Sequence, residues 1–276
     1  MRAAARRQGE VNHVLGDVHY LTLGLNPRRT ALTIHDCASL ERLRGLKRIV
    51  FKWFWFDVPI RRAAIVTTVS EATKREIVKY TGGDPERIRV IHNCVCGDCR
   101  PSSRPFNEAH PTILQVGTGY NKNVERVVRA LDGIPCSLNI IGKLSKEQEV
   151  LLMQHRIRFT NLPRASDVEM MAAYHDCDLV LFASTYEGFG LPIVEANAIG
   201  RPVITSDRLS MPEVAGDAAL LVNPLDVGEI RASVLRIIAD PVLRSRLVAA
   251  GFENVKRFQP AAVASKYACL YRELAA

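Results

Sequence analysis

The sequence predicts an α/β protein with parallel sheets, because short apolar runs alternate with helix-like stretches along the chain. The apolar runs are continuous, as expected for strands that are covered on both faces. Of the 276 residues, 47% are hydrophobic and 24% are charged, which is typical of a globular protein. This composition excludes a disordered chain and a disulfide-rich scaffold, and no apolar run has the length of a membrane span.

The elements follow from this alternation. Strands are predicted at residues 31–35, 65–69, 88–91, 112–116, 137–141, 179–182, 203–205 and 219–222. Helices are predicted at residues 71–80, 123–131, 145–155, 166–177, 192–199, 227–239, 241–258 and 261–274. Ser166 followed by Glu169 has the pattern of a capping box, which marks a helix start. Ser70 and Glu71 are interpreted as the cap of another helix.

A domain boundary is predicted near residues 93–111, where Pro, Ser and Gly interrupt the periodicity. Because the strand–helix series then restarts, we expect one domain over residues 1–105 and a second over 106–260. The final helical stretch, residues 261–276, is expected to pack back on the first domain.

Cys94, Cys96 and Cys99 lie in this linker, with His92 and His110 nearby. Two interpretations remain open, namely ordinary linker cysteines or three ligands of a zinc ion. Structural zinc sites have four well-spaced ligands, which favours the first interpretation. The seven cysteines are an odd number scattered along the chain, which favours a reducing, cytoplasmic location.

Positive charge is concentrated near the beginning of the sequence. The net charge is +8, and residues 1–76 contain 14 Lys and Arg against 7 Asp and Glu. In the densest part, residues 42–62, basic residues alternate with aliphatic and aromatic ones at helical spacing. Such a segment is typical of a helix at an anionic membrane surface. The alternative is a helix whose aromatic face packs inside its own domain; no nucleic-acid motif accompanies the charge, so no nucleic-acid partner is expected.

Residues 184–196 form the most informative segment, which follows the predicted strand 179–182 and opens a helix. Pro192 suits the first helical turn, because its missing N–H would have no partner there. Gly188 and Gly190 allow a ligand to approach the backbone closely. The start of a helix favours an anion such as phosphate.

Two carboxylates, Glu187 and Glu195, flank this predicted anion site. Ionised carboxylates accept hydrogen bonds from sugar and ribose hydroxyl groups. The segment therefore indicates a ligand that combines phosphate with hydroxyl-rich groups, bound at the carboxyl edge of a parallel sheet.

The segment from Glu187 to Glu195 resembles the E-x7-E motif of retaining glycosyltransferases of the family 4 type, which have the GT-B fold of two facing Rossmann-like domains. Further segments resemble the same family, in the expected order, at residues 33–36, 68–80, 114–131 and 200–226. The resemblance implies a GT-B protein whose N-terminal Rossmann-like domain is incomplete, lacking its opening strands and a Gly-rich loop.

The resemblance also implies roles for individual side chains. Glu195 would hold the ribose of a nucleotide-sugar, and Glu187 would contact the transferred sugar. Lys122 would neutralise the diphosphate, where negative charge builds as the glycosidic bond breaks. His35 would reach the sugar from the first domain.

The other donor contacts that the resemblance implies come from the loops at residues Gly117, Thr118, Lys143, Leu162, Gly188, Phe189, Gly190 and Leu191. Backbone amides of residues 189–191 would hold the sugar and the distal phosphate, and the backbone near Leu162 would flank the base. Thr118 stands where many relatives have an arginine, so Lys122, with help from Thr118 and Lys143, would balance more of the charge.

The function expected from the resemblance is metal-independent transfer of a hexose, with retention of configuration, to a polysaccharide or lipid-linked acceptor at the inner face of the membrane. Residues 118–123 (TGYNKN) resemble the loop of bacterial mannosyltransferases, which favours GDP-mannose over a UDP-sugar. The alternative is a donor-binding fragment without transferase activity, because the acceptor half would be incomplete.

Overall fold

Two parallel β-sheets organise the chain, and the structure, a computed structural model, describes residues 2–95 and 99–276. The chain divides into two units. The first contains Met1–Cys94 and Pro260–Ala276, and the second contains Val95–Gln259. Each unit has its own sheet and its own apolar core.

The ten strands of the described residues are β1 (Asn12–Val14), β2 (Thr30–Ile34), β3 (Ile65–Thr68), β4 (Ile88–Val90), β5 (Thr112–Val116), β6 (Ser137–Ile141), β7 (Arg158–Leu162), β8 (Leu179–Phe182), β9 (Val203–Ser206) and β10 (Leu220–Val222). Their helices are α1 (Arg2–Ala5), α2 (Ala38–Arg42), α3 (Gly45–Lys52), α4 (Val58–Arg62), α5 (Glu71–Thr81), α6 (Val124–Leu131), α7 (Lys146–Gln154), α8 (Asp167–Asp176), α9 (Leu191–Ile199), α10 (Met211–Ala215), α11 (Val227–Ala239), α12 (Pro241–Asn254) and α13 (Pro260–Ala275).

The first sheet has the order β1-β2-β3-β4, and all of its strand pairs are parallel. Strands β2 and β3 are buried along their whole length, which is why their apolar runs predict them. Strand β1 has only three residues, and no apolar run in the sequence predicts it. Ser70 caps α5 by accepting a hydrogen bond from the backbone N–H of Thr73 at 3.0 Å, as expected.

Helix α13 packs on the first sheet. Its Val263, Leu270 and Leu274 are buried in one cluster with residues of the first unit. Glu273 forms an exposed ion pair with Arg89 of β4, with 2.5 Å between the nitrogen and the oxygen.

Helix α3 continues through a π-helical turn, Trp53–Asp57, into α4. Some aromatic and aliphatic side chains of this segment are buried and others are exposed. Phe56 and Ile60 are buried in the core of the first unit. By contrast, Trp53 is 58% exposed.

The second sheet has the order β10-β9-β8-β5-β6-β7, and again all pairs are parallel. After β5 the chain builds the sheet outward through β6 and β7, and after β8 it builds in the opposite direction. The strand order therefore reverses between β5 and β8, and loops that leave their carboxyl ends diverge to form a crevice.

Strand β7 lies at the edge of the second sheet and has no fully buried residue, and the sequence pattern does not predict it. Its sequence RFTNL lacks the apolar run of the central strands. The capping box of Ser166 and Glu169 is confirmed at the start of α8, and Ser145 with Gln148 forms a second one at α7. No helix within residues 2–95 and 99–276 combines the length and the apolar character that crossing a bilayer requires.

A half-buried histidine joins β1 to β2 and α13. His13 Nε2 lies 2.7 Å from Thr33 Oγ1, and His13 Nδ1 lies 2.7 Å from the hydroxyl of Tyr271. Burial, with a smaller contribution from nearby His35, lowers the pKa of His13 to about 4. The folded chain therefore keeps His13 neutral at pH values where an unfolded chain protonates it.

We expect this histidine to make the free energy of unfolding depend on pH. The unfolded chain takes up a proton near its ordinary pKa of 6.5, and the folded chain only near 4, so stability present above pH 6.5 is lost as the pH falls from 6.5 towards 4. Thermal unfolding of the wild type and of His13→Gln from pH 7.5 to 4.5 measures this effect. The Tm advantage of the wild type should shrink with acid, and an advantage that does not change with pH would contradict the assignment.

Candidate functional site

The candidate site lies at the carboxyl edge of the second sheet, where β5 and β8 are adjacent. The loops 117–123 and 183–190 leave these strands and bind each other. The backbone N–H of Thr185 donates to the carbonyl of Asn121 at 2.7 Å. The side-chain amide of Asn123 donates to a carbonyl of the second loop at 2.9 Å. These bonds fix the two loops as one structure.

An ion pair connects the same two loops. Lys122 Nζ lies 2.7 Å from Glu187 Oε1, and both side chains are largely buried, with 21% and 14% exposure respectively. The side-chain amide of Asn121 donates to the same oxygen at 3.2 Å. Lys122 Nζ also lies 4.7 Å from the ring centroid of Phe182. The site thus presents one cation and one carboxylate in contact, with the Phe182 ring beside the ammonium group.

Gly117 makes the path of the lysine side chain possible. Its φ is +90°, and a Cβ at this position would lie 2.8–3.0 Å from three carbons of the Lys122 side chain. The side-chain amide of Gln115 donates to the carbonyls of Gly117 and Lys122, at 3.2 and 3.0 Å, and thereby holds the loop backbone. The absence of a side chain at Gly117 lets Lys122 cross the loop to Glu187.

Helix α9 begins at this crevice. Gly190 precedes the helix with a φ of +108°, and a proline occupies its first turn as the sequence predicts. Ser210 Oγ lies 2.9 Å from the carbonyl oxygen of Glu187 and 2.8 Å from that of Phe189, and so supports the loop that carries Glu187. Ser210 was not predicted, because it follows β9 and nothing in its local sequence links it to this loop.

Glu195 lies inside α9, and its Oε2 accepts a hydrogen bond from the hydroxyl of Tyr174 at 2.5 Å. Burial raises the pKa of Glu195, and the bond from Tyr174 acts in the opposite direction. Tyr174 is fully buried on α8 and was also missed, because a tyrosine within a helical pattern is most simply read as core.

Three further predicted positions lie at the carboxyl ends of β5, β6 and β7. The Thr118 hydroxyl donates to the backbone carbonyl of Lys143 at 2.6 Å, so it joins the β5 and β6 loops. The ammonium-bearing side chain of Lys143 is exposed. Leu162 ends β7, and its carbonyl accepts from the N–H of Gly142 at 2.9 Å. The second unit thus brings these residues to the same sheet edge as Gly188, Leu191 and the ion pair.

His35 follows β2 in the first unit and is half-buried. Its contact with a sugar stays a prediction. The zinc alternative involved Cys94, Cys96 and Cys99, of which Cys96 lies outside the described residues. Within residues 2–95 and 99–276, no group of three or more His, Cys, Asp or Glu side chains has an arrangement that could hold a metal ion.

Two family models match the chain. The model for glycosyl transferases group 1 matches residues 100–254, and that for glycosyltransferase family 4 matches residues 13–96. The first match alone covers more than half of the chain and includes every site residue of the second unit. The chain belongs to the glycosyl transferases group 1 family.

Several relatives of this group 1 chain are bacterial mannosyltransferases by name. O-antigen chain mannosyltransferase B of Escherichia coli is 30% identical over 260 residues, which cover 83% of this chain and 66% of that protein. O-antigen chain mannosyltransferase RfbU of Salmonella typhimurium is 28% identical, over 83% of this chain and 68% of that protein. The chain thus spans about two thirds of the length of these relatives.

Solved structures agree on the fold. The structure of Anabaena Alr3699/HepE in complex with UDP and glucose has a TM-score of 0.79 at 17% identity, covering 98% of this chain and 79% of that one. Sucrose-phosphate synthase from Thermosynechococcus elongatus has a TM-score of 0.75 at 23% identity, covering 89% and 67%. The predicted fold class, α/β with parallel sheets and the GT-B fold, is confirmed.

The contact between Gly117 and Lys122 can be tested by stability. Gly117→Ala should cost about 1–2 kcal/mol from its positive φ, and more because its Cβ displaces the Lys122 side chain. Gly133→Ala is the matched control, because Gly133 has a φ of +69° with no atom within 4 Å of the added Cβ. Denaturant unfolding should show a larger loss for Gly117→Ala, and the excess should disappear in the Lys122→Ala background. Equal losses for the two glycines would contradict the contact.

Proposed function

We propose that this chain transfers a hexose, with mannose favoured, from a nucleotide-sugar to a polysaccharide or lipid-linked acceptor, with retention of configuration. The family membership and the names of the relatives support a glycosyl transfer, and mannosyltransferases among these relatives favour GDP-mannose over a UDP-sugar. The observation that carries the proposal is the crevice where Lys122, Glu187 and the start of α9 meet.

Both carboxylates would accept hydrogen bonds from hydroxyl groups of the donor. Glu195 would accept hydrogen bonds from the ribose hydroxyls. It is half-buried and lies on α9, one turn after the helix begins. Glu187 would accept hydrogen bonds from the transferred sugar, and the backbone near Leu162 would flank the base. Backbone amides of residues 189–191 would hold the sugar and the distal phosphate, which the helix dipole of α9 also favours.

Lys122 would change partner when the donor binds. In this structure its ammonium group pairs with Glu187 at 2.7 Å. A diphosphate carries more negative charge than one carboxylate, so it would attract Lys122 and leave Glu187 free to accept sugar hydroxyls. Lys122 and the α9 amides would then stabilise the charge that develops on the diphosphate as the glycosidic bond breaks. The proposed reaction therefore takes its positive charge from the protein and needs no metal ion.

Retention would follow from attack on the face that the diphosphate leaves. The acceptor hydroxyl oxygen forms the new bond to the anomeric carbon while the bond to the diphosphate breaks. A leaving phosphate oxygen takes the hydroxyl proton, so the second unit needs no separate base. His35, in the first unit, would contact the sugar.

Two substitutions test the donor site. Glu195→Ala should weaken binding of GDP-mannose, or of the best ligand in a nucleotide-sugar panel, when binding is measured by calorimetry. Lys122→Ala should lower turnover by about 10²-fold or more, because it removes a donor aimed at the developing charge. Lys256→Ala is the control, since Lys256 is exposed and pairs with neighbouring Glu253. Turnover near wild type for Lys122→Ala would remove it from the mechanism.

The same measurements separate the transferase from a donor-binding fragment. All the proposed donor contacts except that of His35 lie in the second unit, so a chain with an incomplete acceptor half would still bind the donor. Tight donor binding with neither hydrolysis nor transfer, across a panel of polysaccharide and lipid-linked acceptors, would favour the fragment.

We further propose that residues 42–62 contact the anionic inner face of the cell membrane, with the chain located in the cytoplasm. Supporting this are four exposed apolar side chains on and just after α3, with exposures between 57% and 74%, namely Leu46, Ile49, Val50 and Trp53. Lys47 is exposed among them, and Arg61 is exposed at the end of α4. This combination of apolar and basic groups suits the boundary between lipid headgroups and acyl chains.

Membrane binding should depend on both the exposed apolar and the exposed basic side chains of residues 42–62. Ile49→Asp and Lys47→Glu should each reduce co-sedimentation with vesicles that contain phosphatidylglycerol, and added salt should reduce it for the wild type. Both side chains are exposed, so the fold should tolerate the changes. Val168→Asp is the control, because Val168 is 79% exposed in the second unit. Failure of the wild type to sediment with these vesicles would end this part of the proposal.

A further inference from the structure

We propose that Tyr174 is a positioning residue for the donor site: its hydroxyl holds the Glu195 carboxylate in the orientation in which the second carboxylate oxygen accepts from ribose hydroxyls. The inference rests on the proposed function, from which it takes the ribose as the partner of Glu195. It adds a residue that does not itself touch the donor.

The geometry assigns one oxygen of Glu195 to the protein and leaves the other for a ligand. Oε2 lies 2.5 Å from the Tyr174 hydroxyl. The other oxygen, Oε1, has no hydrogen bond to any residue within 2–95 and 99–276. Tyr174 is fully buried whereas Glu195 is half-buried, so the tyrosine approaches the carboxylate from the core side.

Tyr174 is itself held in place. Its backbone carbonyl accepts from Arg201 Nε at 3.3 Å, and the Cys177 thiol contacts the same carbonyl at 3.3 Å. Arg201 is 4% exposed and also donates to the carbonyl of His175, so it fixes the end of α8. A glutamate loses rotamer freedom when it orders on a ligand. A rigid tyrosine that orders it beforehand reduces this cost of donor binding.

The same bond favours the charged form of the carboxylate. Burial raises the pKa of Glu195, and the Tyr174 hydrogen bond opposes that rise. Burial and the charge of Glu195 raise the pKa of Tyr174, so its hydroxyl stays protonated and donates. Cys99 and Cys177 are the other titratable groups near this tyrosine, and burial raises the pKa of Cys177 to about 12. A charged Glu195 is the stronger acceptor for ribose hydroxyls.

Tyr174→Phe tests the proposal, because it removes the hydroxyl and keeps the ring. Calorimetry would measure the affinity for GDP and for 2′,3′-dideoxy-GDP, with the uridine pair in parallel. We expect the variant to bind the ribonucleotide about tenfold more weakly and the dideoxy compound as the wild type does. A merely structural loss would weaken both ligands equally, which would overturn the proposal. Tyr267→Phe, a hydroxyl deletion in the first unit, is the control.

Glu195→Ala, measured with the same ligands, separates this inference from the proposed function. If Glu195→Ala loses the preference for ribose and Tyr174→Phe keeps it, the tyrosine role is wrong and the proposed function stands. If Glu195→Ala keeps the preference, the ribose assignment fails and the inference fails with it. The double variant should lose no more than Glu195→Ala alone, because both changes act through one bond.

The pH dependence of binding gives a second readout. GDP affinity of the wild type should fall in acid as Glu195 takes up a proton, and Tyr174→Phe should shift this fall to higher pH. If the phenylalanine variant does not fold, 3-fluorotyrosine at position 174 replaces it. Its more acidic phenol donates more strongly, so the fall should shift to lower pH, and an unchanged profile would overturn the proposal.

Discussion

The ion pair between Lys122 and Glu187 is the interaction on which the candidate site depends. It joins the loops that follow β5 and β8, the two strands between which the order of the second sheet reverses. Opposite charges at 2.7 Å, largely removed from water, stabilise each other more strongly than an exposed pair would. The pair holds the lysine near the start of α9, where the helix dipole favours an anion.

Two carboxylates of one motif have different physical surroundings. Glu187 lies beside a cation and a side-chain amide. Glu195 is held by a buried tyrosine, and burial raises its pKa. The eight-residue spacing places one carboxylate on the loop before α9 and the other on the helix itself. This division suits a donor whose sugar leaves and whose nucleotide stays bound until the transfer ends.

Local supports for the loops come from distant parts of the chain. Ser210, which follows β9, binds the carbonyls of the loop that carries Glu187. Arg201 fixes the end of α8 and, through it, Tyr174. On the first unit, the π-helical turn after α3 lets Phe56 enter the core while Trp53 stays exposed. In each case a polar or aromatic side chain acquires its role from neighbours that fold next to it.

The sequence by itself determined the α/β class, the central strands and the family motif. Strands such as β5 and β8 are buried on both faces, so their apolar runs identify them, and the helix starts at Ser166 and Pro192 carry local capping signals. Only the tertiary structure determines that residues 158–162 form the edge strand β7, because these residues are stabilised by pairing with β6 rather than by burial. The same holds for the contact of Lys122 with Glu187 and for Tyr174. These contacts span 65 and 21 residues of sequence, and no local periodicity records which side chains a fold will bring together.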